Sequence, residues 1–181
     1  MSLLSTGRTV NCADGTCAGG IGKLYLANAN EVSSVATSSA GATGITMASS
    51  AYNFYEFDFR DFSGNFTETL TQDLDTLAVS VEQVFTGIWT CRNQTDRDII
   101  QDLANQTCGV VAVHGENTGT YWIWGDVTVG GKRLVGRLST AEGNSGTALT
   151  DANQYQITIT CRSTQLAKVL VDGETVMAAL I

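Results

Sequence analysis

Residues 52–86 read YNFYEFDFRDFSGNFTETLTQDLDTLAVSVEQVFT, and the alternation in this stretch decides the fold. In 52–61, Tyr55, Phe57 and Phe59 fall on one side of an extended chain, and Phe54, Glu56, Asp58 and Arg60 on the other. The same period continues through 66–72, where Phe66, Glu68 and Leu70 oppose Thr67, Thr69 and Thr71. In 77–86, Leu77, Val79, Val81 and Phe85 define a third inward face, interrupted by Gln83. Three successive aromatic or β-branched strands with polar alternates predict an antiparallel sheet with two different faces.

Towards the N-terminus, 21–28 (IGKLYLAN) reads as a strand with Leu24 and Leu26 on one face and Lys23 and Tyr25 on the other. Between it and the aromatic strand, 29–51 is rich in Ser, Ala, Thr and Gly, and predicts a long loop with a short strand at 45–47. Residues 1–20, around Cys12 and Cys17, have no periodicity and read as an arm.

Towards the C-terminus one helix is expected. Thr95 is its predicted N-cap and Asp98 completes a capping-box-like start, with Asp96 and Asp98 in the first turn where the dipole favours negative charge. Ile99, Ile100, Leu103 and Ala104 form its apolar stripe, and 105–109 ends it. Strands resume at 110–114, 121–125, 126–138, 155–162 and 167–171, with 116–119 (ENTG) as a hairpin turn and 174–181 as a helical turn or an arm. Nothing divides the chain, so 1–181 is expected to be a single mainly β domain: an antiparallel β-barrel or sandwich with one flanking α-helix.

Charged residues are 15% of the chain, against about 25% in an average soluble domain, and 19 Gly accompany many Thr, Ser and Asn. Such a lightly charged surface is consistent with burial against copies of itself. The net charge of −8 and the absence of a Lys/Arg cluster denser than Lys132-Arg133 with Arg137 argue against a grip on nucleic acid. No basic region precedes an apolar run and no apolar run approaches the roughly 20 residues a membrane span needs, so neither a secretory signal nor a membrane partner is expected. Five irregularly spaced cysteines (Cys12, Cys17, Cys91, Cys108, Cys161) predict reduced thiols made in a cytoplasm. Proline is absent, so turns fall to Gly, Asn and Asp.

The chemistry of an enzyme is missing. His114, the single histidine, sits mid-strand with no nucleophile elbow and reads as a hydrogen-bonded structural side chain. Cys12 and Cys17 have the spacing of half a zinc site, but the other three cysteines are scattered. Asp73 and Asp75 begin like a calcium loop that lacks its Gly and closing Glu. Gly130-Gly131-Lys132 lacks the phosphate-loop pattern and reads as a hairpin bend. The three sequons, at Asn65, Asn93 and Asn105, read as chance in a Thr- and Asn-rich chain. Catalytic, cofactor and metal residues are therefore all expected to be absent. Glu56 and Asp58 share one side of a strand without a partner base. With Glu68, Asp73, Asp75 and Glu82 they are read as a solvated or lumen-facing acidic surface. Phe57, Phe59, Trp122 and Trp124 are read as core or interface aromatics.

Taken in order, these segments resemble the tail tube proteins of tailed phages, especially those infecting Bacteroidota. The resemblance is carried by Cys17-Ala18-Gly19-Gly20-Ile21 leading into Leu24-Tyr25-Leu26-Ala27-Asn28, the aromatic strand to Phe59, and Phe66-Thr67-Glu68-Thr69-Leu70. It continues through the helix of 97–104, then 110–113, then Gly119-Thr120-Tyr121-Trp122-Ile123-Trp124-Gly125, and the 146–155 segment running into Cys161. The resemblance implies hexameric rings, made in the host cytoplasm, in which inner strands join into one barrel. The rings would stack into the tube of a virion tail, contact other tail proteins, and let DNA pass during ejection without specific binding. An acidic lumen would keep DNA from sticking, and 1–20 and 29–51 would suit ring-to-ring contacts. On that view, a chain lacking 31–50 should fold but not polymerise. Lys132-Arg133, Arg137 and the tail beyond Val171 depart from the pattern, which leaves the outer surface and sheath contacts open. Two rivals remain: another virion ring protein (tail terminator, head–tail joining or decoration protein), or a carbohydrate-binding β-sandwich using Tyr121, Trp122 and Trp124.

Overall fold

The strand Val110–Glu116 (VVAVHGE) is buried at its first six positions, so side chains on both of its faces lie away from solvent. Only a strand sandwiched between two apolar layers reads this way. Every other element is placed by which side of it they cover. The computed structural model describes residues 19–60, 62–148 and 150–181.

In chain order the elements are β1 (Ile21–Asn28), β2 (Val32–Ser38), β3 (Gly41–Met47), β4 (Tyr55–Phe57), β5 (Asn65–Gln72), β6 (Val79–Thr90) and α1 (Gln94–Asn105). They continue with β7 (Val110–Glu116), β8 (Tyr121–Trp124), β9 (Val127–Val129), β10 (Lys132–Leu134), β11 (Gly136–Asn144), β12 (Gln154–Ser163), β13 (Lys168–Leu170) and α2 (Gly173–Ala178). The protein is mainly β, as the alternation predicts, with a mixed sheet because β13 pairs β3 in parallel.

Two groups of strands face one another. One runs β4–β1–β7–β8–β13–β3–β2, and the other is the antiparallel four-strand sheet β11–β12–β6–β5. They join through the single pair Gly136–Val110 on one side and the isolated bridge Ile21–Gly64 on the other. These single contacts leave a sandwich, not a closed barrel. Between the layers lie Leu24 and Leu26 of β1, Phe85 and Trp89 of β6, Ala112 of β7, Trp124 of β8 and Ile157 and Ile159 of β12. Ile99, Ile100 and Leu103 of α1 pack against this core from its margin. The other face of β1–β7–β8, with Tyr25, Ala27, Val111, Val113 and Ile123, is covered by Val32, Ala42, Ile45, Phe54 and Met177.

That second core corrects the reading of 29–51. The stretch is not a long loop: β2 and β3 form an antiparallel hairpin that buries Val32, Ala42 and Ile45. Small residues suit it because the hairpin lies close on its neighbours. A Cβ at Gly41 would meet the carbonyl oxygen of Val169 at 2.4 Å. Removing 31–50 would strip a core layer, so a chain lacking it is expected to lose the fold as well as any contact the segment makes.

The aromatic strand of 52–61 shrinks to three paired residues against β1, because Phe54 turns into the second core while Phe57 and Phe59 turn towards the first. Tyr55, expected on the face of Phe57, is exposed. The α1 N-cap is Asn93, not Thr95: its Oδ1 accepts from the Asp96 backbone N–H at 2.8 Å. Leu77, expected inward, sits at φ 57° in the β5–β6 turn and is exposed. The 126–138 strand is broken by Gly130 and Gly131, both at positive φ, which make the two-residue β9–β10 turn. At the C-terminal end a second, short helix, α2, buries Met177. The 1–18 portion of the predicted arm, with Cys12 and Cys17, lies outside the described residues.

Candidate functional site

Three features stand apart from the packed interior. They are two free sheet edges, a hairpin that outruns the core, and a groove beside α1.

Among the described residues the four-strand sheet ends in edges without a second strand on both sides. At one end β5 pairs β6 alone, apart from the bridge at Gly64. At the other end β11 pairs β12, touches β7 only at Gly136 and is flanked by α1, with the Arg137 guanidinium donating to the Gln106 carbonyl oxygen at 3.3 Å. Among the described residues 137–144 therefore has no second strand but lies beside the helix. Unpaired edges of this length are templates for further strands. The sheet's outward face follows from register. Positions opposite Val84 and Thr86 of β6 are Thr67 and Asn65 on β5, and Thr160 and Thr158 on β12. Hydroxyl and amide groups therefore dominate this face. Its charges include Glu82, whose carboxylate lies 3.9 Å from Arg162.

The β5–β6 ladder continues out to Gln72–Val79, yet residues 69–80 are exposed without interruption. The distal half of the hairpin thus leaves the sandwich with both faces uncovered. Leu70 (54% exposed), Leu74 (85%), Leu77 (66%) and Val79 all lie on it. The turn is nonetheless well formed. Asp73 Oδ1 accepts from the backbone N–H groups of Asp75 at 3.0 Å and Thr76 at 2.7 Å, and from the Thr76 hydroxyl. The Thr76 backbone hydrogen bond, followed by its hydroxyl, holds the Asp73 carboxyl below its usual range.

The groove, about 1260 Å³, lies between α1 and the 55–60 segment, over the ends of β1 and β6. Leu26, Phe57, Phe59, Trp89, Ile99 and Leu103 supply apolar lining. Phe57 stacks on Trp89 with ring centroids 5.9 Å apart, and Phe59 meets Phe85 edge-on at 5.7 Å.

The six predicted acids do not form one surface. Glu56 and Asp58 line the groove, and Glu56 lies 3.6 Å from the Lys23 ammonium. Glu68 turns towards the core: its Oε1 accepts from Gln83 Nε2 at 2.9 Å and from the Ala167 backbone N–H at 2.6 Å. Gln83, 1% exposed, interrupts the inward face of β6 to donate its amide to Glu68 and to the Gln165 carbonyl oxygen, while its own Oε1 has no partner among the described residues. Asp73 and Asp75 belong to the hairpin turn. Only Glu82 shares the hydroxyl-rich outward face.

Of the aromatics, Trp124 is buried and Trp122 packs against the same core. Trp124 Nε1 donates to His114 Nδ1 at 3.2 Å, and the Phe66 ring covers His114 with centroids 4.3 Å apart. Burial pushes the His114 pKa down to about 3, so the ring is neutral and serves as an acceptor in the core. Burial, reinforced by Asp126, pushes the Cys161 thiol up to about 11. Among the described residues no three His, Cys, Asp or Glu side chains come together to hold a metal ion, and no helix is long and apolar enough to cross a membrane.

No family model, curated protein or solved structure matches this chain. The free edges, hairpin and groove must therefore speak through their chemistry.

Sequence reasoning missed the projecting hairpin because Leu70, Leu77 and Val79 obey the same alternation as buried strand residues. Pattern alone does not say where a sheet outruns its cover. It missed the groove because α1 and 55–60 are far apart in sequence.

Proposed function

We propose that the protein is a structural subunit that polymerises, and that the polymer is the tail tube of a phage. The observation that carries self-assembly is the distal β5–β6 hairpin, which holds four apolar side chains in water: Leu70 and Val79 on one face of the ladder, and Leu74 and Leu77 in the turn beyond it. Each Leu buried in an interface contributes about 1.5–3 kcal/mol. A surface so lightly charged has little to oppose that burial.

The free edges supply the ring. In a head-to-tail contact, β5 of one copy extends the sheet of the next beside its β11, so every subunit contributes four strands to one continuous barrel. A heterologous contact of this kind closes when its rotation divides the circle, and the resemblance of segment order sets the number at six. The projecting hairpin then reaches the adjacent ring and makes the stack. The sheet's core face must stay inside the subunit, so the Thr-rich outward face lines the lumen. By the same register Arg137, Arg162 and Glu142 share this face with Glu82, so DNA would pass a hydroxyl-rich surface of balanced charge, within a protein whose net charge of −8 repels it at longer range. This revises the expected acidic lumen, of which only Glu82 remains.

A tail terminator or joining ring would use the same edges but stop at one ring. Glycan binding finds less support, because Trp122 and Trp124 pack against the core and do not stand out as a stacking platform.

Hydrogen exchange on dispersed and assembled protein tests the ring contact. Edge amides in 65–72 and 137–144 should become protected on assembly, whereas those of β12, paired on both sides, are protected in either state. Assembly that leaves both edges exchanging as in the free subunit overturns the edge-to-edge ring.

A further inference from the structure

The groove beside α1 is not used by the assembly just described. Its apolar floor is incompletely covered: α1 has no buried residue along its whole length, and its stripe residues Ile99 and Leu103 are only half-buried. On the groove wall, Trp89 is 6% exposed, and its indole N–H has no acceptor among the described residues. A helix of 12 residues spans about 18 Å, so the open stripe is long enough for a segment of chain and not merely a small molecule.

The rim decides the occupant. Asp58, Asp96 and Asp102 line the groove, and among the described residues none of the three makes an ion pair. Glu56 adds a fourth carboxylate, 3.6 Å from the Lys23 ammonium, and Arg60 is the one basic side chain among the lining residues. A second copy of this chain is a poor guest, since its exposed apolar hairpin carries Asp73 and Asp75 and would bring like charge to the rim. DNA is excluded for the same reason.

We propose that the groove docks a basic amphipathic segment of another protein. The apolar side chains of that segment would cover Phe57, Ile99 and Leu103, and its Lys or Arg side chains would meet Asp58, Asp96 and Asp102. The inference stands whether or not the chain forms tubes.

The test uses the full-length chain and three fluorescein-labelled peptides of equal length: a Leu/Lys amphipathic peptide, its Leu/Glu counterpart, and a Ser/Lys peptide without apolar residues. Anisotropy should show the Leu/Lys peptide binding most tightly, and more weakly as salt rises from about 0.05 M to about 0.5 M. Asp58→Asn/Asp96→Asn/Asp102→Asn should weaken it about tenfold, three charges at the modest worth of exposed pairs. Leu103→Gln should weaken it also. Asp73→Asn/Asp75→Asn, which changes net charge away from the groove, should leave it unchanged. Hydrogen exchange with the peptide bound should protect 55–60 and 94–106. The proposal is overturned by equal binding of the Ser/Lys peptide, by equal losses in the groove and hairpin variants, by protection elsewhere, or by no binding of the Leu/Lys peptide.

Discussion

Lowering the pH should unfold this protein through His114, and the size of the effect follows from where the ring sits. His114 is 1% exposed, stacked under Phe66 and hydrogen-bonded as an acceptor to Trp124. Its folded pKa is pushed down to about 3 by burial, while the unfolded chain takes up its proton near the ordinary 6.5. Between those values the unfolded state binds one more proton than the folded state, so stability falls as pH falls, and levels off below about 3. Each pH unit in that window costs about 1.4 kcal/mol. By about pH 4.5 the loss is roughly 2.7 kcal/mol, a large share of the roughly 5–15 kcal/mol that holds a typical domain folded. Carboxylates such as Asp73 and Asp151, lowered by their hydrogen bonds, add a loss of the same sign, so wild-type data alone do not isolate the histidine. His114→Gln keeps an acceptor for the indole N–H and removes the titration. Urea unfolding of both proteins at about pH 7, 5.5 and 4.5 gives two profiles whose difference is the histidine's contribution. The wild type should lose stability more steeply, by up to about 1.4 kcal/mol per pH unit. Parallel profiles, or an NMR titration of the folded ring near 6.5, would refute the reasoning.

Three further outcomes follow from single contacts. Glu68→Ala should cost about 1–3 kcal/mol in urea unfolding, because it orphans the Ala167 N–H and leaves the buried Gln83 amide only its 3.3 Å bond to the Gln165 carbonyl oxygen. Gly109→Ala should be more damaging, since at φ 72° its Cβ would lie 2.3 Å from Val135 Cγ2 and 2.8 Å from the Gly136 carbonyl oxygen. Gly119→Ala, at φ 84° with nothing within 4 Å, should cost only the roughly 1 kcal/mol of a left-handed residue, and thermal melts of the two variants make the comparison.

The fold class was readable because β5, β6, β7, β8 and β12 carry period-2 or continuous apolar patterns, and burial rewards those patterns directly. The β9–β10 turn was readable from Gly130-Gly131 for a local reason: positive φ at two successive residues. The β2–β3 hairpin was not. Its Ser, Ala and Gly residues carry weak propensity, and pairing is imposed on them by tertiary contact with β13 and the second core. Of the acids read as a solvated surface, Glu68 departs from that reading for a related reason, while the other five are exposed. Strand alternation put Glu68 beside Phe66 and Leu70, yet only the fold reveals that the Ala167 N–H and Gln83 wait for a carboxylate there. The Asn93 cap was missed by two residues, within the ambiguity of neighbouring Asn and Thr at a helix start.

The central claim is polymerisation through the β5–β6 hairpin. Negative-stain electron microscopy with light scattering, over a concentration series of the wild type and of Leu74→Asp/Leu77→Asp, addresses it most directly. Both residues are exposed, so the variant should fold as the wild type does, which circular dichroism checks. Long hollow tubes are expected for the wild type, and single rings or free subunits for the variant. A wild-type chain that stays monomeric at every concentration, or a variant that builds the same tubes, would contradict it.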